Sequence, residues 1–432
     1  MADKRIVIIG AGSRSFGRGM VVDLLSREEL SGRGLSMWLV DLNAEALEEM
    51  KGFAELVAAK LGSDISIHAA TDRTEALLGA AYVLVAVEVR RMELWEQDFR
   101  VPLSHGFRNV LGENGGPGAL FHALRTLDLV VPICRDVEKL APDAWLLNYT
   151  NPEGRVLDAI LHLTKVKAAG LCHGVFSVIG FISKYLDRPT ESIEVTSAGL
   201  NHFYFVQKVI DKETGDDLLP GLLERVKADP ELEGTLWRKF IDIFGWLTYK
   251  SDDHIGEYVS YGAEFRGVKW PYGLESHSVS RPKRKGFDPA EYVAKGQIAD
   301  DDWVLKPSAE IGAPIISDME TGESHRYDAV NVLNSGPYIP NLPQTAVIEI
   351  PATCDSGGLH PVTVDPIPEG PAALMRTQLS IQRLLTEAYR TRDRSLLLQA
   401  LCIDPVVNSV TEAEKLLDEM LELQKDFLPE FE

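Results

Sequence analysis

Residues 4–10 read KRIVIIG, an unbroken apolar run that stops at the glycine turn Gly10-Ala11-Gly12-Ser13. A strand with one face in water alternates apolar and polar residues. An unbroken run implies burial on both faces, which a parallel sheet covered by helices provides. The pattern recurs at Met37–Asp41 (MWLVD), Tyr82–Val87 (YVLVAV), Trp145–Asn148 (WLLN) and Lys167–Cys172 (KAAGLC). Helical stretches lie between, such as Ala44–Leu61 and Leu120–Leu140. Strands separated by helices predict an α/β fold: a Rossmann-like, doubly wound sheet over residues 1–195. After Ser192 the rhythm changes. Ile193–Ile210 reads as strand, polar break, strand. Helices follow, then a loop-like stretch from Gly262 to Pro289, and helices at Leu374–Arg390 and Leu416–Leu428. This predicts an α+β domain over residues 196–432, with no floppy linker before it.

The charge balance narrows the partners. Lys and Arg number 44 against 65 Asp and Glu, a net charge of −21. A nucleic-acid binder needs a basic footprint, and anionic lipid attracts basic segments, so neither partner is expected. Four scattered cysteines make no disulfide framework. The first residues, MADKRIVIIGAG, have neither the apolar length nor the cleavage site of a signal peptide, and no run approaches a membrane span. A soluble, cytoplasmic protein is the expectation.

The first glycine turn has a specific chemistry. Gly10 permits the tight turn, Ala11 follows it, and Gly12 and Ser13 let backbone approach a pyrophosphate at a helix N-terminus. Ser15 stands where the fingerprint has its third glycine. Asp41 ends the second strand, where an acid holds the ribose hydroxyls of NAD, and no Arg follows it to favour NADP. The competing reading is a plain βα turn.

Polar residues concentrate in five further segments: Gly112–Gly118 (GENGGPG), Asn148–Gly154 (NYTNPEG), Cys172–Val175 (CHGV), Gly199–Phe203 (GLNHF) and Ser251–Tyr258 (SDDHIGEY). Ligands of open α/β sheets sit outside the carboxyl ends of the strands, where Cys172 is expected. A Cys172 thiolate with a His202 imidazole suits a borderline metal ion and leaves positions for substrate oxygens and water. Each also reads singly as a packed cysteine or a satisfied core histidine.

Taken together, VIIGAGS, LVDLN, NYTNPEG, GLCHGV, GLNHF and the NLPQTAVIEIPA segment at Asn341–Ala352 resemble glycoside hydrolase family 4, the NAD- and divalent-metal-dependent glycosidases, over nearly the whole chain. The resemblance implies a nucleotide domain like that of lactate and malate dehydrogenases, with Cys172 and His202 as ligands of Mn²⁺ and Asn151 on a substrate hydroxyl. His173 occupies a position that varies with the sugar in this family. Cys-His-Gly-Val resembles the α-glucuronidase form more than the Cys-His-Ser form of α-galactosidases. The implied reaction is oxidation of sugar C3 by NAD, deprotonation at C2, elimination of the aglycone, addition of water and re-reduction. For the base, the expectation is Asp253, with Tyr258 behind it, because the segment lacks the Tyr-rich pattern of the phospho-glycosidases. Glu113 and Asn114 are placed over sugar hydroxyls and His254 against the substrate. Arg281, in a basic loop, is the candidate clamp for a uronate carboxylate. The expected substrate is a small sugar, an α-glucuronide, with α-galacturonides, α-galactosides and α-glucosides as alternatives. The expected assembly is a homodimer or homotetramer. A different class, the NAD-dependent 2-hydroxyacid dehydrogenases, shares the fold, but no segment reads as their histidine motif.

Overall fold

Residues 6–9 bury alternately on opposite faces of one sheet: Ile6 and Ile8 join one hydrophobic core, Val7 and Ile9 the other. Leu84 and its neighbours Val83 and Val85 divide in the same way. The unbroken apolar runs are therefore strands with helices on both sides. The structure, a computed structural model, describes residues 4–13, 16–270 and 286–432.

Six strands form the parallel part: β1 (Lys4–Ile9), β2 (Leu35–Val40), β3 (Ser66–Ala70), β4 (Ala80–Val85), β5 (Trp145–Asn148) and β6 (Lys167–Gly170). Their spatial order is β3-β2-β1-β4-β5-β6, the doubly wound dinucleotide-binding arrangement, with its switch point between β1 and β4. The sequence reading misses β3. It is an edge strand whose burial is partial, and His68 stacks on Trp38 of β2 with ring centroids 4.8 Å apart, so no apolar run announces it.

The remaining strands are β7 (Ile193–Leu200), β8 (Phe203–Asp211), β9 (His325–Leu333), β10 (Val347–Asp355) and β11 (Gly358–Pro361). They pair antiparallel and extend the same sheet in the order β6-β9-β10-β7-β8, with β11 on β10. The polar break expected near residue 201 is the two-residue turn between β7 and β8. Among the described residues, no helix is long and apolar enough to cross a membrane.

Local signals explain the helices that matter for the site. The helix Ala44–Leu61 starts where the Asn43 side chain accepts from the Ala46 amide and stops at Gly62 in the left-handed region. The helix Gly116–Leu140 begins with Pro117, whose missing N–H costs nothing in the first turn. In the nucleotide loop, Gly10 has φ +90°, and a Cβ there would lie 2.1 Å from the Ala86 carbonyl oxygen. The tight approach assigned to the third fingerprint glycine falls to Gly17, where the helix start meets the turn itself and a Cβ would lie 2.2 Å from the Ala11 carbonyl oxygen. The spacing is thus Gly10, Gly12, Gly17, and Ser15 lies outside the described residues.

The Gly17→Ala substitution is expected to push the helix Gly17–Leu25 away from the Gly10–Ser13 turn, costing about 1–3 kcal/mol, the usual scale of overpacking. Urea unfolding would measure it, with NAD affinity falling in parallel.

Candidate active site

The loops after β1, β4, β5 and β6 open at one end of the sheet, and the turn after β7 reaches the same place. Cys172 follows β6 by two residues and His173 precedes the helix Gly174–Leu186. His202 sits in the β7–β8 turn. Cys172 Sγ and His202 Nε2 are 3.2 Å apart, thirty residues apart in sequence. His202 has φ +60°, a left-handed conformation that costs a non-glycine residue about 1–2 kcal/mol. A backbone held in that state aims the imidazole, with Nε2 at the thiol and Nδ1 buried without a protein partner.

The two groups suit a cation. Burial pushes the Cys172 thiol well above its usual range and holds the His202 imidazole well below its own. The imidazole is therefore neutral with a lone pair to give. The thiolate needs a positive charge beside it to offset desolvation, and a bound divalent ion supplies that charge.

Around this pair lies a pocket lined by Phe16, Glu113, Tyr149, Asn151, Leu171, His173, Tyr249, His254 and Glu310. The Tyr249 ring stacks on His202 at 5.2 Å, and the His254 ring meets both edge-on, at 4.7 Å from His202 and 5.0 Å from Tyr249. Ser251 Oγ lies 3.0 Å from His254 Nδ1, and burial lowers the affinity of His254 for a proton. Glu113 accepts from Arg91 Nη2 at 2.6 Å, and Arg91 also donates to Glu88 at 2.6 Å while lying over the Trp95 ring. Glu310 lies 3.0 Å from His173 Nδ1. That bond raises the pKa of His173 against the opposing effect of burial. The Glu310 segment is anchored elsewhere: the Ser308 amide donates to Asp23, and Arg18 donates to the carbonyls of Val304 and Lys306 at 2.9 Å. Asp23 and Arg18 lie on the helix that follows the nucleotide loop.

In that loop, the Gly12 amide donates to Asp41 Oδ2 at 2.9 Å and the Asn43 amide to Asp41 Oδ1 at 3.0 Å. Asp41 is thereby fixed beside the turn, where a ribose would lie against a pyrophosphate held by Gly10–Ser13.

The expected site residues divide. Cys172, His202, His173, Asn151, Glu113 and His254 share the pocket. Asn114 stands behind it, its side chain donating to Glu113 Oε2 at 3.3 Å and its amide to Glu257. Asp253 is turned to an ion pair with Arg266 and does not line the pocket. Tyr258 is buried, stacked on Phe203 at 4.9 Å, and also lies off the pocket. Arg281 lies outside the described residues. The lining residues that the sequence reading misses are Phe16, Tyr149, Leu171, Tyr249 and Glu310. For Tyr249 a signal exists: it stands two residues before Ser251 at the head of the polar segment. Glu310 has none, being 137 residues from the histidine it holds.

A dinucleotide loop beside a thiol–imidazole pair defines an enzyme that joins hydride chemistry to a metal ion. The chain belongs to glycosyl hydrolase family 4: the model "Family 4 glycosyl hydrolase" matches residues 5–188, and "Family 4 glycosyl hydrolase C-terminal domain" matches residues 197–407. An alpha-galactosidase of Bacillus subtilis (strain 168) is 31% identical, covering 99% of this chain and 100% of its own. An alpha-glucosidase of Erwinia rhapontici is 30% identical, with 98% of each chain covered. A 6-phospho-alpha-glucosidase from gut microorganisms, solved in complex with NAD and Mn²⁺, superposes with a TM-score of 0.84 at 22% identity over the full length of both chains. The family depends on NAD and a divalent metal.

Replacing Cys172 by Ser is expected to abolish tight Mn²⁺ binding, read from the paramagnetic resonance of free Mn²⁺, while NAD binding persists.

Proposed function

We propose that this chain is an α-glycosidase that hydrolyses α-hexuronides, α-glucuronides first, through oxidation at C3, proton loss at C2, elimination, water addition and re-reduction. The observation that carries the reading is the Cys172–His202 pair, 3.2 Å apart in the pocket that opens beside the nucleotide loop. When bound, NAD supplies a reversible hydride acceptor, and a divalent ion held by Cys172 and His202 supplies Lewis-acid stabilisation of the charge that develops at C2 and C3.

The chain's own residues do the rest. The phenol oxygen of Tyr249 takes the C2 proton, and its place against His202 puts it next to the metal ligands. Burial raises the pKa of that phenol, so a cation beside it is needed for the phenolate to form. Asp253, committed to Arg266, is set aside as the base. His173, with Nδ1 held by Glu310, keeps Nε2 to give a proton to the departing aglycone oxygen. Glu113, immobilised by Arg91, accepts from a sugar hydroxyl, and Asn151 binds another. Phe16 and Leu171 are apolar lining that limits water.

The uronide assignment is supported by the likeness of Cys172-His173-Gly174-Val175 to the α-glucuronidase form of the motif. A second reading is a neutral hexoside: two carboxylates, Glu113 and Glu310, line the pocket, and the alpha-galactosidase and alpha-glucosidase relatives fit it.

A panel of p-nitrophenyl α-glucuronide, α-galacturonide, α-galactoside and α-glucoside, with NAD and Mn²⁺, is expected to give the highest kcat/KM on the glucuronide. Preference for a neutral sugar selects the second reading, and hydrolysis indifferent to removal of both NAD and metal overturns the mechanism. In the same assay, Tyr249→Phe is expected to lower kcat by about 10²–10⁴-fold, the usual scale for a lost general base, and to stop exchange of C2 deuterium with solvent. Exchange at the unaltered rate would acquit Tyr249.

A further inference from the structure

The NLPQTAVIEIPA segment has no part in the pocket, yet it forms the start of β10 and carries a buried acid, Glu349. Glu349 lies on one rung of the sheet that crosses four strands. Gly170 of β6 is opposite Asn331 of β9, Asn331 is opposite Glu349 of β10, and Glu349 is opposite Gly199 of β7. Cys172 is two residues beyond one end of this rung, and His202 is three residues beyond the other.

A single oxygen ties the rung together. Glu349 Oε1 accepts from Asn331 Nδ2 and from Asn201 Nδ2, each at 3.2 Å. Asn331 Nδ2 also reaches the Gly170 carbonyl oxygen at 3.4 Å. One arm of the network therefore ends two residues before Cys172, and the other ends on the residue before His202. All three side chains are buried, and Glu349 Oε2 has no protein partner. Apolar side chains would fill a central rung without the desolvation that these groups incur. What they would not supply is direction: a hydrogen bond fixes distance and angle, whereas apolar contact does not. The left-handed His202 needs such a constraint, because its conformation persists only where the surroundings impose it.

From this geometry we infer that Glu349 is the positioning residue of the metal centre, setting the separation between the segments that carry Cys172 and His202. The inference rests on the reading of those two residues as metal ligands. Glu349 does not touch the metal or the sugar; it acts through Asn201 and Asn331.

Mn²⁺ and NAD affinities, measured separately on the full chain, test this, together with the thiolate-to-cobalt absorption of the Co²⁺-loaded protein. Glu349→Met removes the acceptor and keeps the bulk. It is expected to weaken Mn²⁺ binding by about 10–100-fold, the usual cost of losing a residue that orients metal ligands, with NAD affinity unchanged and the cobalt band shifted. Glu349→Gln keeps an oxygen for both amides and should rescue Mn²⁺ affinity to within about threefold, well inside that range. If Glu349→Met does not fold, Asn331→Ala, which cuts one arm, decides, and it too should lose Mn²⁺ affinity selectively. Folded variants with unaltered Mn²⁺ affinity and cobalt spectrum overturn the inference, as does a parallel fall of Mn²⁺ and NAD affinity. Failure of the underlying reading looks different: the unaltered protein would bind no Mn²⁺, or Cys172→Ser would bind it as well as the parent.

Discussion

The antiparallel pairing of β9 against β6 is the contact on which the rest of the molecule depends. Up to β6 the sheet is a dinucleotide-binding domain whose crevice lies at β1 and β4. A further parallel strand would need another helical crossover. Instead, β9 arrives antiparallel, and with β10 and β7 it carries the second half of the chain into the same sheet. The β7–β8 turn is thereby brought level with the end of β6. A thiol from one half and an imidazole from the other meet only because the two halves share this sheet.

Electrostatics at the site follows from that enclosure. Burial opposes a thiolate at Cys172 and keeps His202 neutral, so a metal ion held by the pair would offset the first effect and take the lone pair left by the second. The acids of the pocket are each spoken for: Glu113 by Arg91, Glu310 by His173. The net charge of −21 therefore says little about the pocket, where every described carboxylate faces a basic partner. The anchoring of the Glu310 segment to Asp23 and Arg18 also links His173 to the helix after the nucleotide loop. The residue proposed to protonate the aglycone and the loop proposed to hold the cofactor share one support.

Several of these features are legible in the one-dimensional pattern, and their limits have physical causes. Unbroken apolar runs identify β1, β2, β4, β5 and β6, because burial on both faces leaves no place for polar residues. Edge strand β3 escapes, because an edge does not demand apolar residues. The third glycine is sought at Ser15, but the chain places it at Gly17, since the close approach to the Ala11 carbonyl depends on where the helix starts. In the SDDH segment the two acids serve structure. Asp252 accepts from the amides of Leu236 and Trp237 at the start of the helix Leu236–Phe244, and Asp253 pairs with Arg266. Spacing cannot separate a carboxylate that caps a helix from one that faces a substrate.

From the sequence come the doubly wound domain and its glycine turn, because strand burial and tight turns each demand particular residue types at short range; Cys172 and His202 are singled out there too, and the fold brings them within 3.2 Å. Which groups share the pocket follows from long-range contacts instead. Tyr249 enters it and Asp253 leaves, Glu310 reaches His173, and Glu349 lies behind the segments that carry Cys172 and His202. Those outcomes depend on sheet order, on register across β6, β9, β10 and β7, and on the direction in which each side chain leaves its strand or turn. Such quantities are set by contacts that join distant parts of the chain, His173 with Glu310, Gly170 with Asn331 and Asn201 with Glu349 among them.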